Sequence, residues 1–554
     1  MSSEHLSSAH VSGEHVSGEH VSSEDPWAQL QSTALLGTDR RPLPALSGSP
    51  AFTAAAAAVA GQDPATGLLE LAALATVRRR AGLLPARAPQ AARPAAVDLR
   101  PVLPEAAASR LGVLLAGRAT GGGQANLAEL LPQWLAEARA RGYRPPAALV
   151  PALLDTARAR SELRGDVVAL AGPLGRWLAE HNPQWRYVLR TVGGDSPAEG
   201  ERIWQEGLFA ERVTHLTRLR RTDPAAALTL LAGTWSTERA EDRLLFLDAL
   251  QEGLGAADEP FLETALDDRS KNVRATAAEL LSSLPGSALG RRMADRALAA
   301  VRLADDGRRL LVAPPTACDT AMQRDGIAPS SPTGRGQRAW WLGELLAATP
   351  LSTWTSAFGL TPTQLLALPV ADETEDATDA TDATTDAADA VGSSDQWREE
   401  LREAWARAAV RQHDADWARV LLGPAPRGAR VSPGAPAKLL AVLPPPERAA
   451  WTAAFLRSHG LGDAFQLLGA CATPWTPPLS TAVVAALERA AASGSYPWSH
   501  SGVLGLTERS LAPATAPAVE ALATDAAPDT AWSETFARLA GTLRFRAAML
   551  AELE

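Results

Sequence analysis

The sequence predicts an all-α protein built as an α-solenoid, in which helical hairpins stack side by side. Helix-forming Ala, Leu and Arg recur along the chain, and aromatic residues make up only 5% of it. A chain of 554 residues is too long for one ordinary core and fits an extended repeat array. The segment 258–301 reads as one helical hairpin followed by the next helix. Such hairpins must stack to bury their apolar faces, and the stack presents long binding surfaces.

This hairpin segment defines the expected repeat. Asp258 is suited to cap its first helix, and Ser270 is suited to cap the second. The second helix carries one apolar stripe with a 3.6-residue period, and Pro285-Gly286 ends it. The stripe consists of Val273, Ala277, Leu280, Leu281 and Leu284.

The first 25 residues form a polar pentapeptide repeat, for which we expect a disordered Ser/His/Glu tail. Histidines recur in it at positions 5, 10, 15 and 20. Histidine-rich tracts can bind metal ions, but a period of five does not align the imidazoles on a helix, which favours a simple repeat expansion.

Helical periodicity and breaks divide the rest of the chain. We expect an N-terminal helical region at 26–197, repeats at 198–302 and a Pro/Gly-rich loop or linker at 303–338. Helix resumes over 339–371, an acidic disordered insert follows at 372–394, and a C-terminal helical region covers 395–554. In the repeats, one helix is predicted over 202–220 and further helices over 225–231 and 239–254.

The turn between the two helices of the hairpin resembles that of a HEAT repeat. In that pattern Asp lies in the turn and Val-Arg opens the second helix, and the matching residues here are Asp267, Asp268, Val273 and Arg274. The resemblance implies structural duties: Asp caps exposed N–H groups, Val fills the core, and Arg pairs with an Asp of the adjacent repeat. The predicted solenoid is therefore HEAT-like.

Charge is distributed unevenly. The net charge is −10, but residues 1–25 and 372–389 hold 13 acids and no Lys or Arg, so the remainder carries +3. Residues 26–160 carry +7 and include Arg78, Arg79 and Arg80. This run is either a solvated helix face or a site for an acidic partner or phosphate backbone. Among the 16 Trp residues, Trp340 and Trp341 are either core residues or partner-binding anchors.

The sequence predicts no catalytic residue, no cofactor and no metal site. Cys318 and Cys471 lie far apart without ligand spacing. The glycines at 121–123 lack the strand and Lys-Ser/Thr of a P-loop, so we expect a flexible connection there. His413-Asp414 and Ser499-His500-Ser501 lack an orienting scaffold. The sequence has neither a signal-peptide pattern nor a membrane-spanning apolar run, and we expect a cytoplasmic protein.

Residues 33–42, with the sequence TALLGTDRRP, open a set of motifs that includes DEPFLETALDDRSKNVR and Trp340-Trp341-Leu342. These motifs resemble an uncharacterised bacterial helical-repeat family of unknown function, over roughly residues 27–550. The family's genes look to be neighbours of genes for MoxR-type AAA+ ATPases, von Willebrand A domain proteins and SWIM zinc-finger proteins. The resemblance implies an accessory or adaptor role in such a system, and it supplies no catalytic residues.

The resulting functional prediction is a scaffold or adaptor, not an enzyme, that binds another protein along its concave face. The alternative is a HEAT-like protein that binds the DNA backbone or excises bases, which requires the basic region to face inward. A small-molecule lyase built on helical repeats is a third hypothesis, without a residue signature here. The expected partner is therefore a protein, with nucleic acid as the alternative and no membrane partner.

Overall fold

The computed structural model describes residues 26–61, 63–81, 93–116, 129–192, 197–332, 334, 336–373, 387–424, 435–527 and 529–554. The chain divides into two compact units, residues 1–94 (unit 1) and residues 95–554 (unit 2). The predicted tail at 1–25 and the glycines at 121–123 lie outside the described residues.

The described residues of unit 1 form three helices: α1 (Pro26–Leu36), α2 (Pro50–Ala60) and α3 (Pro64–Arg80). Ser49 and Asp63 cap α2 and α3 through their side chains, each followed by a proline in the first turn. The helices enclose a small core, formed by Leu30, Leu46, Ala56 and Leu71.

The described part of unit 2 is mostly helical, with one small sheet. The helices before the sheet are α4 (Glu105–Ala116), α5 (Leu131–Ala140), α6 (Val150–Ala159), α7 (Arg164–His181), α8 (Tyr187–Val192), α9 (Pro197–Glu206), α10 (Phe209–Thr222), α11 (Pro224–Thr234), α12 (Ala240–Ala249), α13 (Glu259–Ala265), α14 (Lys271–Ser282) and α15 (Ala288–Ala300). Those after β1 are α16 (Thr320–Arg324), α17 (Gln337–Ala348), α18 (Ser352–Phe358), α19 (Pro362–Ala367), α20 (Ala387–Arg411), α21 (Ala415–Leu422), α22 (Ala435–Val442), α23 (Pro445–His459), α24 (Phe465–Gly469), α25 (Pro477–Ala492), α26 (Ser501–Ser510), α27 (Ala516–Asp525) and α28 (Ala531–Ala551).

Most helices of unit 2 pack in local pairs, as α6 does with α7, α10 with α11, and α13 with α14. Neighbouring pairs are also connected, because α12 contacts both α10 and α14. Val273 of α14 is fully buried in the core that these hairpins share. The last helix, α28, reaches back to the first helices of the unit, where Glu552 pairs with Arg110 of α4.

The predicted helix over 202–220 is wrong in one respect: it is two helices, α9 and α10. Gly207 separates them, and a Cβ at this position would lie 2.3 Å from the carbonyl oxygen of Ile203. Leu208 is extended, and its backbone N–H donates to the Glu211 carboxylate. This local cap starts α10 anew.

The predicted loop at 303–338 is packed against the helices and includes part of the small sheet. Strands β1 (Val301–Leu303), β2 (Leu310–Val312) and β3 (Val370–Asp372) form it, with β1–β2 antiparallel and β2–β3 parallel. A turn at Gly307, where φ is +68°, joins β1 and β2. Each strand has three residues, too few for a periodicity signal, so helical periodicity alone could not predict this sheet.

The predicted acidic insert at 372–394 overlaps described elements at both ends. Asp372 lies in β3 and accepts a hydrogen bond from the Trp397 indole, and Glu373 pairs with Arg302. Residues 387–394 belong to α20. Residues 374–386 lie outside the described part of the chain.

Helix α7 contains a kink at Gly172-Pro173. Gly172 has φ +53°, and Pro173 has no N–H for the carbonyl of Ala169. The Arg100 guanidinium replaces that donor, because it donates to the carbonyls of Ala169 at 2.7 Å and Leu170 at 2.9 Å. The Asp98 carboxylate holds the same guanidinium at 2.7 Å.

Candidate functional site

The candidate site is a partly open cleft of about 1460 Å³ within unit 2. One wall is formed by α14 and the end of α12, and the opposite wall is one face of α20. Residues of α21, α22 and α23 close one side. The wall elements are distant in sequence, since more than 100 residues separate α14 from α20.

Helix α20 presents its charged face to the cleft because its other face is core. Leu401, Ala404, Trp405, Ala408 and Ala409 are buried among the neighbouring helices. The cleft-lining residues of α20 recur at three- and four-residue spacing, which places them on one face. They are Glu399, Arg402, Glu403, Ala406, Arg407, Val410 and Arg411.

Arg407 is neutralised within the protein. Its guanidinium donates to the Glu344 carboxylate of α17 and, at 2.7 Å, to the carbonyl oxygen of Gly343. A Cβ at Gly343 would lie 3.0 Å from the Nη2 atom of Arg407, so the glycine leaves room for this close approach. Arg407 is therefore a fixed part of the cleft wall.

Arg411 lies one turn further along α20 and has fewer partners. Its Nη1 atom donates to the Ala347 carbonyl at 3.3 Å, and no carboxylate of a described residue lies within ion-pair distance. Burial lowers the pKa of the Arg411 guanidinium, although the charges of Glu279 and Glu344 oppose that shift. A half-buried cation thus faces the cleft without a carboxylate partner.

The position of Arg411 is set by its neighbour Gln412. The Gln412 side chain donates to the Thr349 carbonyl at 2.8 Å and accepts from the Leu351 N–H at 3.0 Å. These two bonds fix the end of α20 to the turn between α17 and α18. Asp414 then caps α21 by accepting from the N–H groups of Asp416 and Trp417.

Four further charged side chains of the cleft have no ion-pair partner among the described residues. Arg402 donates to the Leu421 carbonyl at 3.4 Å, and Lys438 is exposed. On the acidic side are Glu279 of α14 and Glu399 of α20. The cleft therefore offers separated charges of both signs.

Apolar side chains lie between these charges. They come from several elements and include Leu254, Leu280, Leu284, Leu422, Leu439 and Trp451. The Trp451 indole donates to the Gly423 carbonyl at 2.9 Å, which fixes the ring at the cleft edge. An apolar area with polar groups at its rim is a common arrangement in protein-binding surfaces.

The basic run predicted as a partner site lies in unit 1, at the end of α3. Arg78 donates to the Ser47 carbonyl at 2.8 Å, and its guanidinium lies 4.3 Å from the centre of the Phe52 ring. Arg79 lies over Trp27 at 6.0 Å. Arg80 is exposed in the last turn, where cations suit the helix dipole.

Trp340 and Trp341 lie on α17 against the core that includes Val273. Their indole N–H groups donate to consecutive carbonyls, those of Ala328 and Pro329, each at 3.2 Å. The pair thus anchors the segment that precedes α17.

In the turn for which the sequence predicts a HEAT-like pattern, Asp267 and Asp268 contact neighbouring elements. Asp268 pairs with Arg243 of the preceding hairpin at 3.0 Å, and Asp267 pairs with Arg324 at 2.7 Å. Arg274, expected to reach an adjacent repeat, instead donates to the Asp268 carbonyl of its own turn at 2.8 Å. Here the link between hairpins comes from Arg243, which sequence reasoning missed.

The other sequence motifs also have structural contacts. His500 meets the Ser495 hydroxyl at 3.2 Å, but that hydroxyl donates to the Ala490 carbonyl at 2.7 Å. Burial raises the pKa of the Cys318 and Cys471 thiols, which makes both less reactive. Among the described residues, no group of three or more His, Cys, Asp or Glu is arranged to hold a metal ion.

Residues 29–553 match a protein family described as a family of unknown function, DUF5691. The chain belongs to this family. Searches of curated proteins and of solved structures gave no match. In the part of this DUF5691 chain that the structure describes, no helix has both the length and the apolar character needed to cross a bilayer.

Proposed function

We propose that this DUF5691 protein is a non-enzymatic adaptor whose cleft binds a polypeptide segment of a partner protein. The observation that carries the proposal is the lining of the cleft, where apolar side chains alternate with unpaired charges of both signs. A folded protein gains little from holding such charges apart in a concave site. A bound polypeptide can bury the apolar groups and pair the charges in one step.

The dimensions of the cleft support a segment rather than a small metabolite. From Glu399 to Arg411 the cleft face of α20 extends about 18 Å, at about 1.5 Å per helical residue. That length matches about three turns of a bound helix. Amphipathic helices commonly bind in grooves of this kind through anchors on successive turns.

We also propose that the hairpins from α9 to α15 form a HEAT-like solenoid. The contacts of α12 with both α10 and α14 support it, as does the pair between Arg243 and Asp268 across successive hairpins. In this arrangement α14 contributes its outer face to the cleft, which is how stacked repeats generate binding surfaces.

A MoxR-type ATPase or von Willebrand A domain protein is the proposed partner class, and this part rests on the family resemblance alone. The proposal includes a cytoplasmic location. The nucleic-acid alternative has less support, because the cleft lining contains as many acidic as basic side chains. A phosphate backbone would be repelled by Glu279 and Glu399.

Site-specific photocrosslinking tests the proposal. Gln251 is exposed and lines the cleft, whereas Glu241 of α12 is exposed and lies outside the cleft lining. When p-benzoylphenylalanine replaces Gln251, we expect one partner protein to be crosslinked to the chain in native cells. That partner, once purified, should also bind the purified full-length chain. Equal crosslinking from position 241, or no binding by the purified partner, would contradict the proposal.

A further inference from the structure

We infer that Arg411 is a carboxylate-binding subsite of the cleft, and that the cleft selects acidic polypeptide segments through it. This inference rests on the proposed function and specifies the chemistry of the partner. The carboxylate belongs to an Asp or Glu side chain of that segment.

Arg407 and Arg411 differ in the acceptors that their guanidinium groups contact. Both arginines lie on the cleft face of α20, one turn apart. Arg407 has a carboxylate and a carbonyl as acceptors, whereas Arg411 uses one of its five N–H donors on a carbonyl at 3.3 Å. Its remaining donors are directed to no described protein acceptor.

Half-burial makes this arrangement unfavourable for the free protein. The guanidinium has lost part of its hydration, and burial accordingly lowers its pKa. A carboxylate can form two parallel charge-assisted hydrogen bonds with a guanidinium. A bound Asp or Glu would therefore restore the acceptors that Arg411 lacks.

The surrounding charges favour a carboxylate over a phosphate. Two carboxylates, those of Glu279 and Glu344, and one guanidinium, that of Arg407, act electrostatically on Arg411. A singly charged carboxylate is repelled less by the two glutamates than a doubly charged phosphate is. The excess of acidic neighbours therefore separates the subsite from a nucleic-acid or phosphopeptide site.

The subsite is also held in position before any partner binds. Gln412 fixes the end of α20 through Thr349 and Leu351, and Arg407 ties the preceding turn to α17. A donor group fixed in this way loses little freedom on binding, which increases both affinity and selectivity.

Selection of helical peptides against the full-length protein tests the inference. A displayed library of 20-residue amphipathic helices is sorted for binding, and the selected peptides are measured against Arg411→Gln and Arg398→Gln. Arg398 lies on α20 outside the cleft lining and is exposed. We expect selected sequences to share an Asp or Glu on one face, with at least tenfold weaker binding to Arg411→Gln and less than twofold change with Arg398→Gln.

A charge exchange distinguishes recognition from a structural role of Arg411. Arg411→Glu should abolish binding of the selected peptide, and replacing the shared peptide acid by Arg should restore it. The inference would be overturned if Arg411→Gln kept its affinity for the selected peptide, or if the peptide with Arg did not restore binding to Arg411→Glu. The proposed function would still stand if the peptides competed with crosslinking at position 251. Failure of every peptide to bind would overturn the inference, and the same failure without a specific crosslink from position 251 would overturn the proposed function as well.

Three further measurements cover the other occupants. A 20-base-pair DNA duplex could bind the protein more tightly than the selected peptide does, and lose that binding in the Arg411→Gln variant. This result would overturn the inference and identify Arg411 as part of a phosphate-binding site. If millimolar inorganic phosphate, but not acetate, competes with the selected peptide, Arg411 is likewise part of a phosphate-binding site and the inference is overturned. A tenfold gain in peptide affinity on deletion of residues 374–386 would identify the chain's own acidic segment as the occupant and overturn the external partner.

Discussion

Arg220 and Asp258 form a fully buried bidentate ion pair in unit 2, with Nη1–Oδ1 and Nη2–Oδ2 distances of 2.8 and 2.9 Å. The Arg220 guanidinium also donates to four carbonyls, those of Pro224, Leu250, Glu252 and Gly253. Asp258 in turn accepts from the Gly255 N–H at 2.9 Å. The pair therefore joins α10 to the segment between α12 and α13.

Asp258→Ala should be strongly destabilising, because it leaves the Arg220 charge buried without its carboxylate. Loss of one partner from a buried pair costs about 3–5 kcal/mol. Urea unfolding of the purified protein measures the change. Glu252→Ala provides the control, since it breaks the exposed pair with Arg221 and should leave the unfolding midpoint unchanged. Equal effects of the two variants would contradict this role for Asp258.

Gly172→Ala should destabilise unit 2 by about 1–3 kcal/mol. The residue has positive φ, and an added Cβ would lie 2.3 Å from the Arg100 guanidinium that caps the kink of α7. Gly165→Ala, in the first turn of the same helix, meets no atom within 4 Å and should be neutral or stabilising by up to about 1 kcal/mol. Thermal unfolding of both variants checks the contrast, and the opposite order would refute it.

Val273→Asp should cost at least about 3 kcal/mol, because it places an unpaired carboxylate in the core shared by α12, α13 and α14. Its exposed neighbour Asn272 offers a matched control: Asn272→Asp adds the same charge near the start of α14, where it suits the helix dipole. Circular dichroism melts should show a large loss only for Val273→Asp. Deletion of residues 374–386 should leave the melting temperature within a few degrees.

Asp98 should make stability depend on pH in the acidic range. The hydrogen bonds from Arg100 hold the pKa of the Asp98 carboxyl below its usual value, and burial opposes that shift. Because the folded-state pKa is the lower one, the stabilisation is fully present above the ordinary carboxyl pKa of about 4. It is lost as pH falls through the folded-state pKa.

Denaturant unfolding of Asp98→Asn between pH 7 and pH 2.5 tests this expectation. The variant should be less stable than the parent at pH 7, with the gap closing below about pH 4. Asp295→Asn removes an exposed carboxylate and provides the control, which should leave the free energy of unfolding at pH 7 unchanged. A constant gap for Asp98→Asn down to pH 2.5 would show that the Arg100 pair is not its cause.

Local periodicity was sufficient to predict individual helices. The predicted helix at 225–231 lies within α11, and Val273 lies in the buried stripe of α14. The β1–β2 hairpin was missed, although Asp-Gly at 306–307 between two apolar runs is a hairpin signal. That signal was outweighed by the Pro and Gly content of the residues that follow.

The cleft could not be predicted from local sequence, because its walls come together only through tertiary packing. Glu279 and Arg411 act on one another although 132 residues separate them. The charged stripe of α20 was available as a signal, since Glu399, Arg402 and Arg407 share the face opposite Trp405. Nothing in that stripe distinguishes the paired Arg407 from the unpaired Arg411, because Glu344 is contributed by another helix.

Hydrogen–deuterium exchange tests most directly whether the cleft is the partner-binding site. The full-length protein is measured alone and with the purified partner that the crosslinking identifies. Partner binding should slow amide exchange in α14 and in residues 402–411 of α20. Exchange in α26, which lies outside the cleft lining, should not change. Protection elsewhere, with α14 and α20 unchanged, would contradict the assignment of the cleft as the partner-binding site.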